Sequence, residues 1–273
     1  MPLGFGRSVF THKAAAGAAV TDRGYFQSAV STSDGTDGAI IEFGITKTWN
    51  QFTMSFWFKG QTSDFPSDNF ASQIRATGNI YAEFINLQDG APGGTGNIRS
   101  YTAWNGANVI HAQSGNITNF DITYLDDTWH HCLISRDQST TAHVCKIYLD
   151  GTQVATDSQT GSANPGSSTP YITFNGGAPN VGGGFYNNSE STTLQFADLW
   201  IDDVYVSDVS KFYSSGPVEL GSDGTGTGLS QPDIWLTCAG GSFTDGGNAS
   251  ATLTIRSEGT GNYTQSSTGG PGA

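Results

Sequence analysis

The sequence predicts an all-β fold made of short strands joined by tight turns. Glycine accounts for 37 of the 273 residues, whereas the strong helix formers leucine, glutamate, lysine, arginine and methionine together account for only 29. This composition excludes a mainly helical protein, because few residues favour helices and many favour turns. Aromatic residues make up 12% of the chain. That is enough large apolar surface to form a packed core and to exclude a disordered chain.

Strand patterns follow one another from residue 40 onwards, separated by Gly, Asn, Asp and Ser turns. The clearest covers residues 53–59, where phenylalanine or methionine at every even position alternates with mostly polar residues. The alternation predicts a half-buried strand with Trp57 on its second face. Many short strands at this spacing are typical of a sandwich or barrel. The other predicted strands are residues 40–43, 80–87, 98–104, 109–112, 130–136, 143–149, 152–155, 171–174, 192–207, 233–237 and 251–256.

Two of these patterns also predict a turn type and a shared strand face. The dipeptide Asp150-Gly151 between two strands predicts a two-residue hairpin turn. Within residues 192–207, the apolar residues Phe196 and Trp200 are predicted to share one face of a long strand.

The chain is predicted to have three parts. Residues 1–24 form an N-terminal arm, residues 25–215 form the β-sandwich domain, and residues 216–273 form a Gly/Ser/Thr-rich β extension or arm that is not a separate domain. A tail such as residues 266–273 is ordered only if something holds it, and a neighbouring subunit is the simplest holder.

The charge of the chain excludes one class of partner. The net charge is −13, and 19 of the acidic residues are aspartates, which belong in turns. Nucleic acid is excluded, since phosphate binding needs clustered lysine and arginine. No apolar run reaches the roughly 18–20 residues of a membrane-spanning helix, so we predict no membrane partner.

Three cysteines do not make a disulfide framework. Cys132 and Cys145 lie on the two strands of one predicted hairpin. Pairing Arg136 with His143 makes these cysteines diagonal neighbours, too far apart for an easy bridge. A shifted register would bring them opposite each other, so a bridge and two buried free thiols both stay open. Cys238 has no evident partner.

Four segments resemble the concanavalin A-like or laminin-G-like jelly-roll superfamily. Residues 129–136 have the Trp-His opening and strand of that family, and residues 146–151 have its tyrosine-bearing strand that closes on Asp-Gly. Residues 52–58 resemble its early strand, and residues 201–206 resemble its closing strand. The resemblance implies a concanavalin A-like jelly-roll sandwich of two antiparallel sheets over residues 25–215, with N- and C-terminal arms.

The C-terminal extension carries a second resemblance. Residues 216–224, 231–236 and 240–247 look like the extension of concanavalin A-like proteins from tailed phages. This resemblance implies a virion structural protein on the particle exterior, either decorating the capsid or belonging to the tail or a fibre. The implied partners are other capsid or tail subunits, together with further copies of this chain in a homo-oligomer.

The residues do not predict an enzyme. Retaining glucanases of the superfamily set Glu-x-Asp-x-x-Glu on one strand, as a nucleophile and an acid/base. The nearest match here runs from Asp198 to Asp203 and lacks both glutamates. Asp198 and Asp202 share a face unless a bulge intervenes. We therefore assign no catalytic residue and keep glycoside hydrolysis as a remote alternative.

No metal or cofactor is predicted either. His130 and His131 lie on opposite faces of a strand, so they do not hold one metal ion together. Members of the superfamily often bind Ca²⁺ through loop oxygens, and Asp121, Asp126 and Asp127 are available donors. No fixed calcium-binding spacing is present, so calcium stays open.

A glycan-binding adhesin for host attachment is the main alternative function. Sugar binding needs an exposed aromatic residue with polar groups around it. The predicted strand at residues 98–104 and the turn at Asn105-Gly106 offer Tyr101, Trp104, Asn105 and Asn108. A glycine-rich loop offers the dipeptide Phe185-Tyr186. These residues are candidate contacts for a host surface glycan or for a protein partner.

Overall fold

The computed structural model of the chain describes eighteen segments and nineteen strands within them. The described residues are 23–29, 38–42, 47–48, 51–61, 72–76, 80–88, 95–104, 108–113, 117–118, 123–137, 142–160, 167–168, 170–174, 195–226, 228–238, 244–249, 254–258 and 262–272. The strands are β1 (Tyr25–Ala29), β2 (Gly38–Glu42), β3 (Lys47–Thr48), β4 (Gln51–Lys59), β5 (Ser72–Ala76), β6 (Ile80–Gln88), β7 (Thr95–Trp104), β8 (Asn108–Gln113), β9 (Ile117–Thr118), β10 (His130–Asp137), β11 (Ala142–Leu149), β12 (Thr152–Thr160), β13 (Ser167–Ser168), β14 (Pro170–Phe174), β15 (Gln195–Asp202), β16 (Ile234–Thr237), β17 (Thr244–Asp245), β18 (Thr254–Glu258) and β19 (Asn262–Ser266). One short 3-10 helix covers Val209–Lys211.

The strands form two large antiparallel sheets and one small pair. The nine-stranded sheet runs in the order β12-β11-β10-β4-β15-β1-β19, with β16 on β15 and β17 on β16. The eight-stranded sheet runs in the order β18-β2-β14-β5-β6-β7-β8, with β9 on β7, and β3 pairs with β13. β8 lies against β11 and β12, and β2 lies against β19. This arrangement confirms the predicted all-β sandwich of two antiparallel sheets.

The hairpin of β11 and β12 forms at the predicted turn, but the register of β10 and β11 differs from our expectation. Asp150 and Gly151 have φ values of 45° and 77°, the left-handed pair that a two-residue hairpin turn requires. Arg136 lies opposite Cys145 rather than His143, so the assumed register was wrong.

All three cysteines are buried and free. Cys132 lies opposite Leu149, four positions along β11 from Cys145. The register therefore separates the two hairpin cysteines along the strands, and the bridge left open by the sequence does not form. Burial raises the pKa of the Cys238 thiol to about 12.

β4 at the centre of the nine-stranded sheet is buried on both faces, so the predicted half-buried strand was wrong. Met54, Phe56 and Phe58 lie on one side, called here the apolar face. Thr53 lies on the other side with Ser55 and Trp57, called here the capped face. Residues that follow β15 in the chain cover this second side, which no local pattern in β4 could reveal.

The covering segment is residues 203–226 and 228–229, called here the cap. Its apolar residues form a second core with the residues that the sheet presents beneath them. The members of this core are Leu133, Tyr148, Trp200 and Trp235 from the sheet and Val206, Phe212, Leu220 and Leu229 from the cap. The cap thus buries large aromatic residues on a side of the sheet that would otherwise face water.

A bulge in β15 changes which residues share a face. Phe196 lies opposite Phe58 and Trp200 lies opposite Ser55, so four steps along β15 match three steps along β4. Asp198 sits at the bulge with φ 51°, which is the left-handed region that such irregularities use. Phe196 and Trp200 therefore lie on opposite faces, and the predicted shared face was wrong.

The C-terminal strands enter both sheets. β16 pairs with β15, β18 pairs with β2, and β19 pairs with β1 along the whole of Tyr25–Ala29. The chain's own first strand therefore pairs with β19, and the expectation that a neighbouring subunit holds residues 266–273 stays a prediction. The predicted boundaries of the three parts stay a prediction, and most of the N-terminal arm lies outside the described residues. Among the residues described, no helix has the length and apolar character to cross a membrane.

Candidate functional site

The predicted glycan residues of β7 and β8 occupy two faces of the eight-stranded sheet. Tyr101 pairs with His111, and Trp104 pairs with Asn108. Since successive residues of a strand alternate between faces, Tyr101 and Trp104 belong to opposite faces. Their contact with a sugar stays a prediction.

The other three predicted contacts, Asn105, Phe185 and Tyr186, lie outside the described residues.

Tyr101 belongs to a row of residues that lie side by side across seven strands. Each member is the register partner of the next, from β18 at one edge to β8 at the other. We call this set the tyrosine row. Its members in order are Thr254, Glu42, Tyr171, Arg75, Tyr81, Tyr101 and His111.

A second row lies two residues further along the strands and therefore on the same face. It is also continuous across all seven strands and is mainly polar. Its members in order are Arg256, Ile40, Thr173, Gln73, Glu83, Arg99 and Gln113.

The row between these two belongs to the opposite face and is almost wholly apolar. Since a sandwich packs its two apolar faces together, the residue types of this row predict the face toward the nine-stranded sheet, and they predict the opposite face for the tyrosine row. The members of the apolar row are Ile255, Ile41, Ile172, Ile74, Ala82, Ser100 and Ala112.

The tyrosine row combines the groups that a sugar site needs. Tyr81 and Tyr101 are direct cross-strand partners in the register of β6 and β7. Flat rings accept the apolar side of a pyranose, and charged or hydrogen-bonding neighbours fix its orientation. Sequence reasoning identified Tyr101 but missed Arg75, Tyr81 and Tyr171, because only the strand register brings four separate strands into one row.

A second polar cluster surrounds His130, at the start of β10. His130 Nδ1 donates to Asp150 Oδ2 at 2.7 Å, and His130 Nε2 lies 3.1 Å from Asp126 Oδ1. Burial opposes the charge on the ring, yet these two carboxylates prevail and raise the pKa of His130. Asp150 Oδ1 also accepts from the His131 backbone N–H at 2.8 Å. The cluster thus ties the Trp-His opening of β10 to the Asp-Gly turn of the hairpin.

Two of the three aspartates considered as calcium ligands have partners within the fold. Asp126 Oδ1 accepts from the backbone N–H and hydroxyl of Thr128, and Asp127 lies 3.4 Å from Lys59 Nζ. Asp121 lies outside the described residues. Within the described part of the chain, no three histidine, cysteine or acidic residues come together as a metal site requires.

His131 points to the capped face and is fully buried. Its Nε2 lies 2.8 Å from Ser55 Oγ, and its ring stacks on Phe212 and Tyr213 of the cap, with centroids 6.3 and 5.7 Å away. Burial disfavours the imidazolium and lowers the pKa of His131 to about 3. The side chain is therefore neutral at physiological pH and packs as an aromatic residue.

The aspartates of the glucanase-like segment make structural contacts. Asp198 Oδ2 lies 3.6 Å from Arg23 Nη1, and Asp203 Oδ1 accepts from the Gln51 backbone N–H at 2.9 Å. Asp202 Oδ1 accepts from the backbone N–H of Asp203 at 2.9 Å. Each carboxylate has a partner within the fold, and the bulge at Asp198 breaks the even spacing that a catalytic pair on one strand would need.

Comparisons with known proteins agree with this architecture. A laminin-G-like family model described as the concanavalin A-like lectin/glucanases superfamily matches residues 24–209. No curated protein matches the chain. The heptameric SAP-like pentraxin from Limulus polyphemus is similar in structure, with a TM-score of 0.52 and 13% identity over 88% of this chain and 97% of the pentraxin chain.

Two further solved structures are more distant. Domains LG4-5 of the mouse laminin alpha1 chain have a TM-score of 0.42 and 13% identity, over 65% of this chain and 41% of that one. The receptor binding domain of botulinum neurotoxin D has a TM-score of 0.41 and 13% identity, over 68% of this chain and 42% of that one.

At such low identity, the pentraxin likeness shows a shared fold and nothing about ligands. The family match covers more than half of the chain and includes the Trp-His opening, the Asp-Gly turn and the central strand β4. The chain therefore belongs to the concanavalin A-like lectin/glucanases superfamily.

Proposed function

We propose that the chain is a non-enzymatic carbohydrate-binding domain that holds its ligand on the tyrosine row. The observation that carries the proposal is the continuous register of Tyr171, Arg75, Tyr81, Tyr101 and His111 across five neighbouring strands. Neighbouring strands are about 4.8 Å apart, so the row spans roughly 19 Å. A surface of that length suits a short oligosaccharide better than a single sugar.

Two aspartates of β15 and the cap support a non-enzymatic function. A retaining glycosidase needs two carboxyl groups about 5–5.5 Å apart, one of them free to attack the sugar. Asp198 lies beside Arg23, and Asp203 accepts from Gln51, which supports a structural role for both. These contacts support a domain that binds a saccharide without cleaving it.

A glycan array followed by isothermal titration calorimetry tests the proposal. Removing a central aromatic contact typically costs more than about 1 kcal/mol of binding, so Tyr81→Ala and Tyr101→Ala should each weaken the identified ligand about tenfold. Tyr205→Ala is the matched control, because Tyr205 is a half-buried tyrosine of the cap. The proposal fails if the array shows no ligand, or if the control weakens binding as much as the row variants do.

We also propose that this binding takes place on the exterior of a tailed-phage particle. The resemblance of residues 216–224 and 231–236 to phage extensions supports this location, and capsid or tail subunits would be the partners. Immunogold labelling of intact particles tests it separately: label over heads or tails supports it, and unlabelled particles contradict it without affecting the sugar-binding proposal.

A further inference from the structure

We infer that the C-terminal arm exchanges between two copies of this chain, so that the arm of each copy completes both large sheets of the other. The arm is defined here as residues 254–258 and 262–272, and the body as the described residues before it. The inference rests on strand pairing and on contacts of the arm, and it does not depend on the proposed sugar site.

The arm supplies the outermost strand of each large sheet. β18 ends the eight-stranded sheet and pairs with β2, and β19 ends the nine-stranded sheet and pairs with β1. Among the described strands, neither β18 nor β19 pairs with a second one, and the two come last in the chain. The arm can therefore leave and return without separating any other pair of described strands.

The body holds the chain up to the residue where exchange would begin. The Ala249 backbone N–H donates to the Asp233 carbonyl at 3.2 Å. Gly247 lies so close to the same carbonyl that an added Cβ would clash with it. Residues 244–249 are thus fixed to their own copy, and the movable part of the chain starts after Ala249.

The end of the arm contacts two aromatic residues of the body. Trp129 Nε1 donates to the Gly269 carbonyl at 3.0 Å, and the Tyr25 and Trp129 rings are 6.1 Å apart. A Cβ on Gly269 would lie 3.4 Å from the Tyr25 ring. The next two residues, Gly270 and Pro271, are buried. The body therefore recognises the end of the arm as well as its strands.

The arm and the start of β1 also meet closely at their backbones. Gly24 has φ 69°, and the Ser266 carbonyl lies against it so closely that an added Cβ would clash. From there the pairing of β1 with β19 continues along the whole of Tyr25–Ala29. The place that the arm occupies is thus fitted to this particular segment.

A second copy is the partner that fits this place. Withdrawal of the arm would leave unpaired backbone along β1 and β2, and open sheet edges pair with other chains. Another copy offers the same two strands with the same end, so exchange remakes every contact of the closed form. Residues 249 to 254 span at most roughly 18 Å. The two copies must therefore turn the same edges toward each other, which gives a two-fold dimer that closes.

The closed single chain should dominate in dilute solution. An arm tethered to its own body competes at an effective concentration that is roughly millimolar for a short flexible connection. Exchange should therefore increase with protein concentration.

Cross-linking between two different full-length variants tests the exchange. Gln27 of β1 and Thr264 of β19 are register partners, and the three native cysteines are buried. Gln27→Cys and Thr264→Cys are purified separately, mixed at about 1 mM, incubated just below the unfolding temperature and treated with a short bismaleimide. We expect a covalent heterodimer joined through residues 27 and 264, identified by mass spectrometry, whose yield falls as the mixture is diluted.

Two controls define the result. The doubly changed chain, Gln27→Cys with Thr264→Cys, should cross-link within one copy in dilute solution. Ser158→Cys mixed with Gln27→Cys should give no heterodimer, because Ser158 is exposed on β12, the opposite edge strand of the same sheet. A doubly changed chain that links internally while the mixed variants give no heterodimer at about 1 mM would overturn the inference. Absence of the internal link would overturn it too, since the arm would not lie on β1.

A glycine pair tests whether the arm itself makes the dimer. Gly24→Ala, introduced into the Gln27→Cys chain, should abolish the heterodimer because the added Cβ blocks Ser266. Gly216→Ala in the cap is the matched control, since Gly216 also has a positive φ, 143°, but an added Cβ meets nothing within 4 Å. Thermal unfolding checks that each variant is folded. A heterodimer that persists in Gly24→Ala, or that forms equally with Ser158→Cys, would show association through another surface and overturn the inference.

Discussion

The two faces of β4, at the centre of the nine-stranded sheet, are both buried but by different physical means. On the apolar face, Met54, Phe56 and Phe58 are each 0% exposed, and the contact is stabilised by removing apolar surface from water. On the capped face, Thr53 is also 0% exposed, although its hydroxyl must find partners to be buried at all. One strand can therefore contribute residues to two cores. Only the core on the apolar face is predicted by the alternation of apolar and polar residues along β4.

Hydrogen bonds attach the cap to polar residues of the capped face. Thr53 Oγ1 lies 2.8 Å from Ser135 Oγ and donates to the Val204 carbonyl at 2.6 Å. The backbone N–H of Val206 lies 3.0 Å from Thr53 Oγ1 and 2.9 Å from Ser135 Oγ. These bonds are directional, so they fix where the cap begins after β15, and the apolar core of the cap then supplies the buried area.

The apolar face should be the more sensitive of the two to truncation. We expect Phe56→Ala to lower the free energy of unfolding by about 3–5 kcal/mol, because the lost phenyl ring leaves a cavity in a packed interior. Urea denaturation measures the loss. An effect below about 1 kcal/mol would mean that the two sheets are not tightly packed at β4.

Lowering the pH should destabilise the fold mainly through His131 on the capped face. The pKa of this side chain is about 3 in the folded protein and 6.5 for an ordinary histidine, so between these values the unfolded chain binds the proton and the folded one does not. Its contribution to stability is therefore complete above pH 6.5 and is lost as the pH falls toward 3, at up to about 1.4 kcal/mol per pH unit. Urea denaturation of the wild type and of His131→Leu across this window measures both slopes. A slope unchanged in His131→Leu would contradict the assignment.

The hydrogen bonds of the cap should have an intermediate effect. Thr53→Val keeps the shape of the side chain but leaves the Val204 carbonyl without the Thr53 hydroxyl, which should cost about 1–3 kcal/mol. Thr156→Val on the exposed edge strand β12 is the matched control and should change stability by less than about 0.5 kcal/mol. Similar losses in both variants would show that the cap does not depend on this network.

The smallest expected effect comes from His130, the histidine on the other face. Its pKa is raised, so its contribution is complete below pH 6.5 and is lost as the pH rises through the folded pKa. Because Asp126 is partly exposed, we expect His130→Gln to lower the free energy of unfolding by under about 1 kcal/mol. The loss should be seen only at acidic pH, where the His130 ring is charged. NMR chemical-shift titration of the two imidazole rings measures the pKa of His130, which should be raised, and that of His131, which should be lowered. A pKa of His130 below that of His131 would contradict both directions.

Much of the fold was readable from the sequence because its signals are local. The Asp150-Gly151 turn requires two left-handed residues, which this dipeptide tolerates, and it formed as predicted. The alternation in β4 identified the apolar face correctly. The candidate site was readable only in part, since Tyr101 was identified but its row partners were not.

Long-range pairing decided the rest. The bulge at Asp198 depends on how β15 meets β4, and the burial of Thr53 depends on a segment about 150 residues away. The tyrosine row exists only because β14, β5, β6, β7 and β8 pair in one particular register. A shift by one residue would send every member of a strand to the other face.

The sequence by itself therefore determined the all-β class, the main hairpin turn and the superfamily, because composition, alternation and turn chemistry act between neighbouring residues. Only the tertiary structure decided which arginines and tyrosines share a face, which cysteines stay apart and which side of β4 is capped. These outcomes depend on register and on contacts between distant segments, and no pattern within a single strand encodes them.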